Sequence, residues 1–233
     1  MSGIVREVTI GDCRLILGDC REVLPLLDLH DLLLTDPPYG LGDVLHRTPS
    51  ATTKWSKHFG TGAPTWDRTT VEGGVLLSLD MAEKAILWGG QFYLMRPARC
   101  LLSWNKIVRN WTSSEAEHAW TNLDKPNRVF DYSHGQLATE GKHYHPTQKP
   151  VPLMAWCINH AGAVTTVLDS FMGSGSAGVA CVQSGLAFTG IELDPVYFAS
   201  ACERIENAYR QAPMFPEQRQ AAPHQNSLLE VTA

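Results

Sequence analysis

The sequence predicts an α/β fold with a mostly parallel sheet, and three observations support this fold class. Short apolar runs alternate with helix-like stretches along the 233 residues. Hydrophobic residues make up 44% of the chain and charged residues 18%, a balance with which one domain can bury a core. Two apolar runs end directly in motifs rich in Asp, Gly or Pro, and ligands bind beyond the carboxyl ends of parallel strands.

The predicted elements follow from apolar periodicity and from residues that favour the ends of helices. Strands are predicted at residues 14–17, 31–35, 85–88, 100–104, 166–168 and 188–191. Helices are predicted at residues 20–27, 71–84, 152–160, 176–184 and 195–209. The last helix has the clearest start, because Asp194 is a natural N-cap and Pro195 suits the first helical position.

Residues 1–210 are predicted to form one domain that contains two loop insertions. Residues 40–70 are rich in Gly, Thr, Ser, Pro and Trp, and residues 105–144 are polar with interspersed aromatic side chains. Long irregular stretches in a compact domain tend to be functional, so both are candidates for binding a partner. Residues 211–233, where Pro and Gln dominate, are predicted to form a disordered tail.

Local basic charge points to a polyanionic partner, although the net charge of the chain is −5. Residues 44–66 contain Arg47, Lys54 and Lys57 and no acidic residue. Residues 84–114 contain five basic residues, among them Arg109, and again no acidic one. Binding a polyanion requires local positive surface rather than a positive total. The alternative, a chance cluster of charges on a solvated face, stays open at this stage.

The cysteines and the hydropathy pattern favour the cytoplasm. The six cysteines occur singly with no Cys-x-x-Cys pair, as expected of reduced thiols rather than of disulfides or a zinc site. No apolar run approaches the roughly 20 residues that span a bilayer, so no membrane partner is expected. Residues 1–9 include Arg6 and Glu7 and no apolar segment, so a secretory signal is not expected.

The first motif with chemical content is the tetrad Asp36-Pro37-Pro38-Tyr39, which follows an apolar strand. The two prolines remove backbone donors and stiffen the turn, so carbonyl oxygens and one carboxylate remain as fixed acceptors. Tyr39 adds a flat stacking surface, and an aromatic amine needs this combination of two acceptors and a ring face. The alternative is a rigid turn in which Asp36 caps the backbone.

The second motif is a glycine-rich turn at residues 169–178 between a predicted strand and a predicted helix. Gly173 and Gly175 would let the backbone approach a ligand closely. Glu192 lies 17 residues after Gly175 at the end of another strand, where a carboxylate can hold two ribose hydroxyls. The motif therefore predicts an adenosine-containing ligand. It also satisfies the G-x-G-x-x-G pattern, so a nicotinamide dinucleotide remains an alternative.

The third motif, residues 145–150, directly precedes a predicted helix. Thr147 and Lys149 could meet a carboxylate at the mouth of this helix, where backbone donors add positive potential. The alternative is a plain loop that Pro residues terminate. His143 and His145 have no third ligand beside them, so no metal site is expected.

In this order, the three motifs resemble the amino-methyltransferases of DNA, which modify N6 of adenine or N4 of cytosine. The tetrad comes first and the glycine turn last, as in the permuted beta group of that family. The resemblance covers residues 9–209 and is strongest at 18–40, 145–150 and 167–194. It implies a seven-stranded sheet with one antiparallel strand, S-adenosylmethionine as cofactor and double-stranded DNA as substrate. The compact chain is similar to enzymes carried by bacteriophages and prophages, so the cytoplasm of a bacterial host is implied.

The resemblance also assigns roles to individual residues. The catalytic residues, which grip a flipped base for direct methyl transfer, are Asp36, Pro37, Pro38 and Tyr39. The residues assigned to the cofactor are Asp19, Cys20, Asp36, Thr147, Lys149, Asp169, Phe171, Gly173, Gly175, Glu192 and Leu193. The residues expected to contact DNA are Arg47, Lys54, Lys57 and Arg109. In this family an Asp at the head of the tetrad goes mostly with adenine, so adenine is favoured over cytosine; a homodimer is left open.

Three other functions account for part of these motifs. A dinucleotide-dependent oxidoreductase would use the glycine turn but leaves the tetrad unexplained. A methyltransferase acting on RNA or protein can share the tetrad, but those relatives carry the cofactor motif ahead of it. A nucleic-acid-binding module with a degenerate site would not need both motifs intact.

Overall fold

The computed structural model describes residues 3–41, 70–107, 114–139 and 148–211. Its strands are β1 (Ile4–Ile10), β2 (Cys13–Gly18), β3 (His30–Thr35), β4 (Ala82–Trp88), β5 (Leu101–Asn105), β6 (Ala116–Thr121), β7 (Arg128–Asp131), β8 (Thr166–Asp169) and β9 (Ala187–Glu192). Its helices are α1 (Cys20–Val23), α2 (Glu72–Leu79), α3 (His134–Thr139), α4 (Val151–Ala161), α5 (Ser176–Ser184) and α6 (Pro195–Gln211). Short 3₁₀ turns occur at Leu24–Leu26 and Gly90–Phe92.

The described strands form one mixed sheet in the order β1-β2-β9-β8-β3-β4-β6-β5-β7. The strands from β2 to β4 in this order are parallel, and β6 runs antiparallel to both β4 and β5. The seven strands from β2 to β5 therefore contain one antiparallel strand, which confirms the predicted fold class. The strand count is nine in the described part rather than seven, because β1 and β7 extend the two edges.

The parallel register brings the carboxyl ends of three strands to one edge of the sheet. Leu33 of β3 pairs with Leu168 of β8, and Asp169 of β8 pairs with Gly190 of β9. The segments that follow β3, β8 and β9 therefore lie side by side, as the motifs predicted.

Helices cover both faces of the sheet, which gives the core two layers. Leu32 and Leu34 of β3 pack in one cluster with residues of α4, α5 and α6. Leu33, on the opposite face of the same strand, packs with Val23 of α1 and Val75 of α2. This alternation is the reason for the continuous apolar run of β3, since a strand buried on both faces has no polar side.

The structure corrects three predictions about the elements. The helix predicted at 71–84 ends at Leu79, and its last residues belong to β4. β1 was not predicted at all. β6, β7 and α3 lie inside 105–144, which was predicted as a loop insertion. The sequence of β6, AEHAWT, shows no strand periodicity, and its hydrogen bonds to β4 and β5 determine its conformation instead.

The other predicted helices and strands agree with the structure to within a few residues. The N-cap at Asp194 is confirmed, because its carboxylate accepts hydrogen bonds from the backbone N–H groups of Val196 at 2.7 Å and Tyr197 at 3.2 Å. Residues 42–69 and the tail after residue 211 lie outside the described ranges. Within those ranges, no helix combines the length and the hydropathy required to cross a membrane.

Candidate active site

A cavity of about 540 Å³ opens at the carboxyl edge of the sheet. Its wall is formed by the residues after β2, β3, β8 and β9, by the start of α2 and by the residues before α4. The predicted site residues that line it are Asp19, Cys20, Asp36, Pro37, Pro38, Tyr39, Lys149, Asp169, Phe171, Gly173, Glu192 and Leu193. The tetrad and the glycine turn thus share one cavity.

Gly175, which was predicted to contact the cofactor, does not line this cavity. It is the N-cap of α5 with φ of 80°, and a Cβ there would lie 3.0 Å from the Cβ of Ala201 in α6. Its glycine serves the turn and the packing of two helices, and its contact with the cofactor stays a prediction. The other predicted residues, Thr147, Arg47, Lys54, Lys57 and Arg109, lie outside the described ranges.

Glu192 anchors the glycine turn from the end of β9. Its two carboxylate oxygens accept backbone N–H groups, from Gly173 at 2.7 Å and from Asp194 at 2.8 Å. Burial raises the pKa of Glu192, although these hydrogen bonds oppose the shift. Gly173 has φ of 54°, and a Cβ at this position would meet no atom within 4 Å. The backbone of Gly173 therefore faces open space, in which a ligand can approach it closely.

Arg204 of α6 holds the same turn from the other side, and no motif in the sequence pointed to this residue. Its Nη1 donates to the Ser174 carbonyl at 2.7 Å, to Ser174 Oγ at 2.9 Å and to Ser176 Oγ at 3.2 Å. A cation 30 residues away along the chain thus fixes the turn before α5, and only the tertiary packing of α6 reveals this contact.

Asp169 lies at the end of β8, where it is almost completely buried. One of its oxygens accepts the Thr35 hydroxyl at 2.7 Å and the Phe171 N–H at 3.1 Å. Burial raises the pKa of Asp169 to about 7; these hydrogen bonds oppose the shift, and the negative charges of Asp36 and Glu192 add to it. Asp169 is therefore poised between its neutral and charged forms near neutral pH, and a nearby cation would favour the carboxylate.

Asp36, at the end of β3, is held by two donors in the cavity. The Tyr39 hydroxyl donates to Oδ1 at 2.5 Å, and Lys149 Nζ donates to Oδ2 at 2.5 Å. The Pro38 carbonyl accepts a hydrogen bond from the Tyr93 hydroxyl, which ties the turn to the segment after β4. Both carboxylate oxygens of the predicted base-gripping residue thus already have partners within the protein.

The ring of Tyr39 is positioned by two residues that the sequence did not single out. Phe92 stacks on it with centroids 4.8 Å apart and an interplanar angle of 25°. Gly89 lies against the ring, since a Cβ at Gly89 would be 2.0 Å from Tyr39 Cε1. Gly89 also has φ of 67°, so both its conformation and its contact exclude a side chain.

Lys149 belongs to a buried cluster of four charged side chains. Its Nζ contacts Asp36 and lies 3.0 Å from Glu117 Oε2, while Lys106 Nζ lies 2.5 Å from Glu117 Oε1. The side chains of Lys149 and Lys106 are only 5% and 8% exposed. Within the protein, Lys149 contacts the carboxylates of Asp36 and Glu117, and its predicted contact with a carboxylate of the cofactor stays a prediction.

The charges in this cluster stabilise one another. Burial alone would raise the pKa of Glu117, yet Lys149 and Lys106 hold the pKa of its carboxyl at about 2. Burial alone would lower the pKa of Lys149, but Asp36 and Glu117 keep this pKa well above its ordinary value. Burial raises the pKa of Asp36, and Lys149 opposes that shift. Lys149 therefore stays a cation whose position depends on the two carboxylates.

The thiol of Cys20 lines the cavity. Burial raises the pKa of its thiol to about 12, and the neighbouring charge of Asp19 adds to the shift. The reactive form of cysteine is the thiolate, which such a pKa suppresses.

Residues 99–203 match the family model described as DNA methylase. DNA adenine methyltransferase YhdJ of Escherichia coli K12 is 33% identical over 86 residues, which are 36% of this chain and 29% of that protein. The chain spans about a third of the length of the curated relatives that it matches.

Two solved structures share the fold. The structure of M1.HpyAVI in complex with S-adenosylmethionine has a TM-score of 0.53 at 20% identity and covers 83% of this chain and 98% of its own. The cytosine-N4-specific PvuII DNA methyltransferase has a TM-score of 0.56 at 13% identity. The match covers 89% of this chain and 95% of the PvuII chain. These likenesses show the fold, and the family match shows the sequence relationship. Residues 99–203 are thus similar to DNA methylases of the N6-adenine and N4-cytosine type, which confirms the resemblance that the three motifs predicted.

Proposed function

We propose that this protein transfers a methyl group from S-adenosylmethionine to the exocyclic N6 amino group of adenine in double-stranded DNA. The observation that carries the proposal is the single cavity that joins the Asp36 tetrad to the glycine turn and Glu192. An enzyme that alkylates a base must bring an amine and a methyl donor into contact, and only a shared cavity allows this. A DNA substrate would place the protein in the cytoplasm of a bacterial cell.

The residues around the glycine turn fit S-adenosylmethionine. The backbone of Gly173 faces open space, and the carboxyl groups of Glu192 and Asp169 line the same wall. Anionic groups suit a ligand with a sulfonium and an ammonium charge, and Glu192 suits a ribose diol. When bound, this cofactor supplies an electrophilic methyl group. The relative M1.HpyAVI, which shares the fold, was crystallised with it.

The tetrad provides the contacts that an exocyclic amine requires. We assign one amino hydrogen to the Asp36 carboxylate and the other to the Pro37 carbonyl, with the base stacked on Tyr39. Accepting both hydrogens directs the nitrogen lone pair toward the methyl donor, and Asp36 stabilises the positive charge that develops on nitrogen. The base must leave the duplex to reach this site, at a cost of a few kcal/mol.

The choice of adenine rests on Asp36. The resemblance associates an Asp at the head of the tetrad with adenine, and the relative YhdJ is named an adenine methyltransferase. The PvuII enzyme, which shares the fold, is cytosine-specific, so the fold itself does not select the base. We further propose that Arg47, Lys54, Lys57 and Arg109 bind DNA phosphates, because they lie in the two stretches without acidic residues.

The proposal is tested by offering three classes of acceptor to the protein. S-adenosylmethionine with a labelled methyl group is incubated with the protein and with double-stranded DNA, RNA or a mixture of proteins. We expect label in the DNA alone. Label in RNA or protein, but not in DNA, would reject the substrate class.

Replacing Glu192 with Ala should weaken cofactor binding. The change removes the diol contact and the anchor of the Gly173 N–H, so we expect a loss of about 1.5–3 kcal/mol, the scale of hydrogen bonds to charged groups. Calorimetric titration measures the affinity. Glu206→Ala, which removes an exposed carboxylate from an ion pair with Arg210, is the control and should bind normally. Tight binding of a nicotinamide dinucleotide, with none of S-adenosylmethionine, would end this assignment.

The affinity for the cofactor should rise with pH through the pKa of Asp169. Below about 7 this carboxyl is protonated and neutral, and above it the carboxylate attracts a cationic ligand. Binding a cation lowers this raised pKa, so protons should be released on binding near pH 7. Calorimetry in buffers of different ionisation enthalpy measures both effects. Asp169→Asn should give weaker binding that no longer varies with pH in this range, whereas an unchanged pH dependence would assign it to another group.

A further inference from the structure

We infer that Glu117 is a positioning residue for methyl transfer: it receives the Lys149 ammonium when a target base takes the Asp36 carboxylate. The inference rests on the proposed function, because the incoming base is the reason for Lys149 to leave Asp36. Glu117 lies in β6, on a different part of the sheet from the three motifs, and neither the sequence nor the family match assigns it a role.

A base that approaches the Asp36 carboxylate meets two donors that already bind it. Its Oδ1 accepts from the Tyr39 hydroxyl and its Oδ2 accepts from Lys149 Nζ, each at 2.5 Å. Each carboxylate oxygen can accept a second hydrogen bond, but these two donors already share the charge of Asp36 with any amino hydrogen of a base. The ammonium carries a full charge and competes most strongly with a neutral amine for the same oxygen. Release of Lys149 therefore makes the Asp36 carboxylate a stronger acceptor for the base.

Once it leaves Asp36, the Lys149 ammonium needs another anionic partner. Its side chain is 5% exposed, so moving the charge away from Asp36 without a new partner would leave a buried, unpaired cation. Glu117 Oε2 is already within 3.0 Å of Lys149 Nζ. This buried oxygen accepts no hydrogen bond from any residue described, so it is an unused acceptor beside Lys149. Lys149 can therefore exchange Asp36 for Glu117 by a small movement and remain paired.

Lys106 competes with Lys149 for the charge of Glu117. Its Nζ lies 2.5 Å from Glu117 Oε1 and 5.1 Å from the centre of the Trp104 ring, so its position is fixed. Lys106 neutralises part of the charge that attracts Lys149. Removing the charge of Glu117 should strengthen the contact between Lys149 and Asp36, whereas removing that of Lys106 should weaken it. The two substitutions therefore have opposite effects on base binding.

Opposite effects of the Glu117 and Lys106 substitutions on base binding distinguish a positioning role of Glu117 from that of a purely structural ion pair. The experiment uses the full chain, S-adenosylmethionine and duplex DNA with 2-aminopurine in place of the adenine that the wild-type protein methylates. Fluorescence of the unstacked base reports the flipped state. Glu117→Gln should weaken formation of the flipped complex by about tenfold, the scale of one hydrogen bond to a charged group, with cofactor affinity unchanged. Lys106→Gln should strengthen it.

A substitution far from the cavity is the control for both variants. Glu206→Gln removes one carboxylate of an exposed ion pair with Arg210 and should behave as wild type in every measurement. Equal losses in Glu117→Gln and Lys106→Gln, or a wild-type flipped fraction in Glu117→Gln, would overturn the inference. Should Glu117→Gln fail to fold, Lys106→Gln decides alone, since an unchanged or reduced flipped fraction in this variant contradicts the inference. A wild-type protein that methylates no DNA would instead reject the proposed function.

Discussion

Replacing Asp36 with Ala is expected to reduce the single-turnover rate of methyl transfer by at least about a hundredfold, the scale of a lost electrostatic contact in a transition state. Asp36 is the one carboxylate of the tetrad, and we assign to it both the orientation of the amine and the stabilisation of its developing charge. Cofactor binding should remain nearly intact, because the glycine turn is held by Glu192 and Arg204.

The Asp36→Ala variant should also keep its fold. Lys149 retains Glu117 at 3.0 Å, so the substitution does not leave a buried cation without a partner. Thermal unfolding and calorimetric titration of the cofactor establish that the variant is folded and binds its ligand. Near-normal transfer by this folded variant would contradict the mechanism.

Replacing Gly89 with Ala should reduce transfer by about a hundredfold, as expected when a reacting group is displaced by about 1 Å. The added Cβ would lie 2.0 Å from Tyr39 Cε1, so the ring must move. Its stacking on Phe92 and its hydrogen bond to Asp36 would change together. If stacking on Tyr39 holds the base, Tyr39→Ala should lose activity to a similar degree, while Tyr39→Phe should keep most of it.

Gly185→Ala is the matched control for this substitution. Gly185 has φ of 64°, close to that of Gly89, but a Cβ there would meet no atom within 4 Å. The control therefore carries the same backbone strain, about 1–2 kcal/mol, without displacing a ring. Its transfer rate should be normal although its unfolding temperature falls. Equal losses of transfer in the two variants would show that strain, and not the position of Tyr39, sets the rate.

The carboxylates at the cavity could be predicted because they end apolar strands. Asp36, Asp169 and Glu192 each follow or close an apolar run, and parallel strands bring such ends to one edge. The glycine pattern could not show which of Gly173 and Gly175 borders the cavity. Gly173 borders open space, whereas Gly175 packs on Ala201 of a helix that begins 20 residues further along.

Glu117, Lys106 and Gly89 could not be found in this way. Glu117 lies in a strand with no apolar alternation, and its place beside Lys149 results from the pairing of β6 with β4 and β5. Lys149 was recognised as a partner for a carboxylate, but the motif could not show that the carboxylates belong to the protein itself. Local sequence therefore predicted the groups at the strand ends, while contacts between distant segments determined how those groups are held.

Identification of the methylated nucleoside tests the central claim most directly. Duplex DNA is incubated with the protein and with S-adenosylmethionine that carries a trideuterated methyl group, then digested and analysed by mass spectrometry. The mechanism predicts N6-methyladenine with the deuterium label. Labelled N4-methylcytosine would preserve the direct transfer at Asp36 and overturn the choice of base. Labelled 5-methylcytosine, or no labelled nucleoside, would contradict transfer to an exocyclic amine.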